Sequence, residues 1–437
     1  MALEDLVSRL LAGDETLFEG ITAGHALGWL RHPERYLGGW LDETAERLPR
    51  RHARTILLGM GGSSSPARLY AEARPECDLV VLDTSNPDTI AGTDFADATV
   101  IASSKSGSTI ETQALLAHAL ANGLVAEDLV IISDPGTAMV ELARSLRAHV
   151  IQGDPDTGGR FSGLSPFGLV PALCGGWSVD ELRGELAECS LSQSLIETAA
   201  REAATRDRDT TDGRSFFELG GDPMSSGGAL WLEQLVAEST GKEGRGFIPI
   251  VAGASNIPRP RDMMRLQVMA ALLARRLNVD PFNQPDVESA KRDVFSLLQS
   301  DVSWEVPAYN LDALREALFR STYNVLQIYA PLEATAALST LRQRVEARYG
   351  ATTANLGPRY LHSTGQLHKG GPAGVVAVQI VQRPRTPPQR IKGRRYSFHD
   401  LHMAQARSDV RAMSRARRTA VQILVDDLDE AAQLLGV

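Results

Sequence analysis

The sequence predicts an α/β protein built on doubly wound parallel sheets, and three observations carry that expectation. Strand-like apolar runs alternate with helical segments from residue 55 to about 150. Two Gly/Ser-rich turns follow directly on two of those runs. The alternation then returns, more loosely, in two further stretches of the chain. Such a pattern calls for parallel strands joined by crossover helices, with ligands bound beyond the carboxyl ends of the strands.

An N-terminal helical segment, 1–50, precedes the first unit, 51–190. Strands are expected there at 55–58, 79–82, 98–102 and 129–132, with helices at 111–121 and 138–146. A second unit, 191–300, would hold strands at 215–219 and 246–251 and helices at 228–238 and 262–277. The C-terminal α/β unit, 301–437, would hold strands at 324–329, 375–380 and 420–425 and helices at 333–349 and 398–414. Pro384, Pro387 and Pro388 mark a loop within it.

Composition narrows the function classes. A formal charge of −9 over 437 residues and a pI near 5.6 argue against nucleic acid as a partner. The C-terminal arginines Arg385, Arg390, Arg394, Arg395, Arg407, Arg411, Arg415, Arg417 and Arg418 read as a solvated basic helix face. Cys77, Cys174 and Cys189 have neither metal-type spacing nor a paired framework, as reduced thiols of a cytoplasmic protein would. No secretory signal and no membrane-spanning run is expected.

The most informative stretch is Ser104-Lys105-Ser106-Gly107-Ser108-Thr109-Ile110-Glu111-Thr112, which follows the apolar run at 98–102. A strand feeding a hydroxyl-rich turn that opens a helix makes an anion site, here for a phosphate. Ser104, Ser106, Ser108 and Thr109 are the candidate donors, and Lys105 is either a charge partner or solvent-facing. The stretch lacks a Walker-type ending, so a phosphorylated small molecule fits better than a nucleoside triphosphate. Upstream, Gly59-Met60-Gly61-Gly62-Ser63-Ser64-Ser65 follows the first strand, and its glycines would let the backbone approach a ligand. Two other readings stay open for that turn. One is a serine-capped strand-to-helix connection. The other is a dinucleotide fingerprint, with Ser64 at its third glycine position and Asp83 as the ribose acid.

Three further motifs sharpen the reading: Gly158-Gly159-Arg160-Phe161-Ser162 followed by Leu164-Ser165-Pro166-Phe167-Gly168-Leu169, then Glu233-Gln234-Leu235-Val236-Ala237-Glu238-Ser239-Thr240-Gly241-Lys242, and then Asp280-Pro281-Phe282-Asn283-Gln284-Pro285-Asp286-Val287-Glu288-Ser289-Ala290-Lys291. Together with the two Gly/Ser turns, in this order, they resemble the phosphoglucose isomerases. The resemblance runs from about residue 55 to the end and is nearest the actinobacterial form also found fused behind a transaldolase. No such barrel is expected in the fifty or so residues before the first strand. The family implies two sugar-isomerase (SIS) type subdomains, a homodimer, and interconversion of glucose 6-phosphate and fructose 6-phosphate without cofactor or metal.

Carried over residue by residue, the resemblance implies Glu238 as the base and Arg160 as the cation facing the enediolate. Their structural alternatives are an i+4 pair of Glu238 with Lys242 and a salt bridge of Arg160 to Asp154 or Asp156. Lys291 and Gln284 match the last common motif, where the lysine helps open the sugar ring. Gly61, Gly62 and Ser63 would close the phosphate site opposite the 104–109 loop. The ring-opening histidine departs from the shorter bacterial pattern, since no histidine lies between Val251 and Gln267. A Leu361-His362-Ser363-Thr364-Gly365-Gln366 segment stands later instead, so His362 takes the role, with His368 or a neighbouring subunit as alternatives. An isomerase of another hexose phosphate, a non-catalytic sugar-phosphate sensor and a nucleotide-dependent oxidoreductase are the competing functions.

Overall fold

The computed structural model of the chain describes residues 2–18, 27–49, 52–208, 215–253, 255–299 and 304–437, without the side chains of 207, 208 and 288–291. The first sheet holds β1 (Arg54–Gly59), β2 (Leu79–Leu82), β3 (Ala98–Ser103), β4 (Leu129–Ser133) and β5 (His149–Gln152). Their order is β2-β1-β3-β4-β5, and every pairing is parallel. Side chains alternate between the two faces, as the pleat requires. Ile56, Leu58, Val100 and Ala102 pack against Leu115 and Met139 on one face. Leu57, Ile101 and Val130 pack against Ala67, Phe167 and Val170 on the other. Burial on both sides is why these strands read as unbroken apolar runs.

The chain reverses its order of strands between β1 and β3. In a doubly wound sheet that reversal opens a crevice beyond the strand ends. Gly59 and Ser103, the last residues of β1 and β3, lie in register. Both Gly/Ser turns therefore leave the sheet side by side at the crevice.

The expected second unit differs from this. Among the described residues, 191–300 contributes one two-stranded parallel pair, β6 (Phe216–Leu219) with β7 (Ile248–Val251). The long buried helix Gly227–Thr240 connects them. A four-stranded parallel sheet follows: β8 (Tyr323–Tyr329), β9 (Thr352–Leu356), β10 (Val375–Gln382) and β11 (Thr419–Val425), in the order β11-β10-β8-β9. Ile248 of β7 shares one apolar cluster with Tyr323, Val325, Val375 and Ala377. The packing of β6 and β7 thus runs directly into the C-terminal sheet.

Strands β5 and β9 do not stand out in the sequence. The arginine-rich C-terminal region also departs from a plain solvated face. Arg418 donates to the carbonyls of Lys369 and Pro372, and Arg415 pairs with Asp293. These side chains tie the end of the Phe398–Arg415 helix to its neighbours. All three cysteines are free. Among the described residues, no helix is long and apolar enough to cross a membrane.

Candidate active site

A cleft of about 570 Å³ opens at the reversal point between β1 and β3. One wall is the 104–109 loop, where Ser106, Ser108 and Thr109 line the opening. Thr109 stands at the N-cap of the Ile110–Ala121 helix but makes no capping bond. Its hydroxyl pairs with Ser104 Oγ at 2.8 Å instead. The first-turn N–H groups of that helix are left without a side-chain cap, the condition for holding an anion. Ser104 is buried and braces the loop from behind rather than lining the cleft. Gly107, at φ +66°, could not be replaced without collision, because a Cβ there would lie 2.6 Å from Thr137 Cβ. Lys105 proves to be a charge partner: its ammonium pairs with Asp134 and donates to the Asp154 carbonyl at 2.6 Å.

The opposite wall carries Glu238 and Arg160, both buried. Arg160 Nε lies 3.6 Å from Glu238 Oε2. The same guanidinium donates to the backbone carbonyls of Glu238, Phe282 and Asn283. Burial pushes the Arg160 pKa down, while Glu238 and Asp280 pull it back up. Neither alternative pairing from the sequence occurs. Asp154 is engaged by His32 and Arg35, and Lys242 donates to the carbonyls of Ser239 and Asp280. Burial, reinforced by the nearby Arg160 charge, lowers the Lys242 pKa to about 6.

Gln234, one helical turn before Glu238, lies in the second motif but carries no role assigned from sequence. Its Nε2 donates to Glu238 Oε2 at 3.1 Å and to the His362 carbonyl at 3.0 Å. Its Oε1 accepts from Ser65 Oγ at 2.6 Å. One amide thereby links the first Gly/Ser turn, the carboxylate and the histidine segment.

His362 lines the cleft, and its Nε2 donates to Glu111 Oε1 at 2.9 Å. Glu111, the last acid of the anion-loop motif, also accepts from Gln405. His368 sits elsewhere, 1% exposed, with Nδ1 against Gln327 at 3.4 Å. Burial drives its pKa well below the usual histidine value. Geometry thus brings His362, and not His368, to the cleft.

The first Gly/Ser turn corrects one expectation. Its glycines make room for protein rather than ligand. A Cβ on Gly61 would lie 2.4 Å from the His362 carbonyl oxygen, and one on Gly62 would lie 2.1 Å from that of Gly159. Gly62 and Ser63 still line the cleft, whereas Gly61 packs behind it. Nor does Asp83 await a ribose. Its carboxylate is filled by Arg68, at 2.7 and 3.0 Å, with Arg359 at 3.5 Å. Gln284 lines the cleft. Lys291 falls in the Glu288–Leu297 helix, and its side chain lies outside the described residues.

The fold and the site together define an α/β protein with a hydroxyl-rich loop and an uncapped helix start facing a carboxylate–guanidinium pair. No family model matches the chain. Among curated proteins it is similar to glucose-6-phosphate isomerases. That of Rubrobacter xylanophilus is 31% identical over 56% of this chain and 63% of its own length. The Enterococcus faecalis protein is 26% identical over 58% and 64%, respectively. The Clostridium novyi protein is 26% identical over 67% and 72%. The aligned region thus spans somewhat under two thirds of the first two relatives. A solved glucose-6-phosphate isomerase from Chlamydia trachomatis aligns over 93% of this chain and 70% of its own, at 14% identity and a TM-score of 0.33.

Proposed function

We propose that the chain is an aldose–ketose isomerase that interconverts glucose 6-phosphate and fructose 6-phosphate through a cis-enediol(ate). The observation that carries this reading is the buried Glu238–Arg160 pair facing an uncapped, hydroxyl-rich helix start across one cleft. An isomerase of a phosphorylated sugar needs these two groups at opposite ends of its substrate.

In this reading the phosphoryl group sits on Ser106, Ser108, Thr109 and the first-turn N–H groups, with Ser63 and Gly62 on the far side. His362 and Lys291 open the ring. Glu111 engages Nε2 of His362, which leaves Nδ1 as the nitrogen for proton transfer. Glu238 then takes the proton from C2 of the open-chain aldose, and the C1 carbonyl electrons move onto O1. Arg160 stabilises that developing charge in a water-poor site. A proton passes from O2 to O1, and Glu238 returns its proton to C1 to give the ketose. Gln234 aims the Glu238 carboxylate, and Gln284 completes the sugar contacts. Kinship with the actinobacterial form, a homodimeric state and a cytoplasmic location belong to the same proposal.

The test is fructose 6-phosphate conversion, coupled to glucose-6-phosphate dehydrogenase, by the wild type and Glu238→Gln. Wild-type turnover that collapses in a variant still able to bind substrate supports the reading. An inactive wild type that binds sugar phosphates would reassign the chain to another hexose phosphate or to sensing.

A further inference from the structure

The residues just upstream of Arg160 form a junction that the reaction itself does not require. Asp154 is 2% exposed, and its carboxylate receives four groups. It accepts from the Asp156 N–H at 3.1 Å and from Thr157 Oγ1 at 3.3 Å, which shapes the turn leading to Gly158-Gly159-Arg160. It also meets His32 Nε2 at 3.2 Å and Arg35 Nη1 at 3.2 Å, both from the N-terminal segment. The bond from His32 is the chief reason its pKa falls far below the carboxylate range. On its backbone side, the Asp154 carbonyl accepts from Lys105, in the middle of the anion loop. The N-terminal segment closes over the same turn. Gly28 N–H donates to the Asp156 carbonyl at 3.3 Å, and Trp29 stacks on Phe161 with ring centroids 4.8 Å apart.

We infer that Asp154 is a positioning residue that couples the anion loop to the Arg160 turn, so that seating a phosphoryl group also sets the guanidinium. The inference rests on the isomerase reading for its catalytic meaning, but the coupling itself is a property of the fold. Lys105 is the only ammonium described within the 104–109 loop, and it already spans from that loop to Asp134 and Asp154. An anion arriving at Ser106 and Ser108 adds charge beside Lys105 and is felt at the Asp154 carbonyl. From there the carboxylate bonds to Asp156 and Thr157 pass any shift on towards Arg160. Binding energy from the non-reacting end of a substrate is then used to orient the group at the reacting end.

Hydrogen exchange with and without inorganic phosphate tests the coupling independently of turnover. In the wild type, phosphate should slow exchange both at 104–112 and at 156–162. In Asp154→Asn and in Lys105→Met, it should slow exchange at 104–112 alone. Failure of 156–162 to respond in the wild type, or an undiminished response in either variant that folds, overturns the inference. Kinetics supply the second readout. Asp154→Asn should lower kcat for fructose 6-phosphate about 10- to 100-fold while KM changes little, as misplacement of one group predicts. A rise in KM at unchanged kcat would instead assign Asp154 to the anion loop alone. An inactive wild type would sink the isomerase reading and leave the exchange result to decide the coupling.

Discussion

The two walls of the cleft are built on different physical plans. The 104–109 wall presents hydroxyls and helix N–H groups at a strand end, with Ser106 and Ser108 hydrogen-bonded to each other at 2.9 Å. The Glu238 wall presents two opposite charges almost withdrawn from water, held by backbone carbonyls and one amide. A hydroxyl-rich wall whose one ammonium, Lys105, is already paired with Asp134 can bind ground and transition states alike. A buried charge pair gains most when charge develops against it. The first wall should therefore act on binding and the second on turnover.

Three substitutions would sharpen or break that contrast, and a fourth tests the fold behind it. The largest effect is expected from Glu238→Gln, which removes the proposed proton acceptor while keeping the shape; kcat should fall about 10²- to 10⁴-fold with substrate affinity retained. Arg160→Lys comes next. An ammonium cannot reach the Glu238, Phe282 and Asn283 carbonyls together, so steady-state kinetics should show kcat down about 10²-fold. Ser106→Ala should raise KM several-fold and leave kcat within about twofold, the signature of uniform binding. A kcat loss from Ser106→Ala as deep as that from Arg160→Lys would erase the distinction between the walls.

The smallest effect concerns stability. Glu233 lies on the same helix as Glu238 but faces away, bonded to Asn355 Nδ2 at 3.0 Å. Burial outweighs that bond and raises its pKa from 4.5 to about 8. Between those values the folded chain holds a proton that the unfolded chain has lost. Stability therefore falls as pH rises through that window. Thermal unfolding of Glu233→Gln across pH 4.5–8 should show a flatter profile than the wild type. An identical slope in the two proteins would mean that Glu233 ionises freely when folded.

How much of this was legible depends on how each residue advertises itself. β1, β3 and β4 announce themselves because both faces are buried and turns of Gly and Ser bound them. β5 has one buried residue, Ile151, and offers no such run. β9, Thr352–Leu356, is wholly buried yet polar, since Asn355 is spent on Glu233 rather than on apolar packing. The candidate site was readable where chemistry and spacing coincide, as in the 104–112 loop. The roles of Gln234 and Glu111 were not, although both lie in quoted motifs, because a polar residue on a helix looks the same whether it faces water or a partner far along the chain. His362 holds the histidine position of the Leu-His-Ser-x-Gly-Gln segment and His368 does not, and the fold places His362 in the cleft while burying His368 in the Gly365–Gly370 helix. Asp83 held the position a ribose acid would take, but Arg68 on the preceding helix occupies its carboxylate, with Arg359 arriving from the other end of the chain at 3.5 Å.

The distance along the chain between the β6–β7 pair and the sheet it packs against has a consequence for how the molecule is made. The strands of the first sheet lie within about one hundred residues, so its strands can pair while the chain is still growing. β7 emerges some seventy residues before β8, against which Ile248 packs. At about 5–20 residues per second, a ribosome takes several seconds to supply that partner. During that pause the 104–109 loop can already be in place while the Glu238 helix has only part of its cover. A nascent chain stalled before Tyr323 should be caught by a chaperone at β6 and β7, and the cleft should be among the last features the ribosome completes.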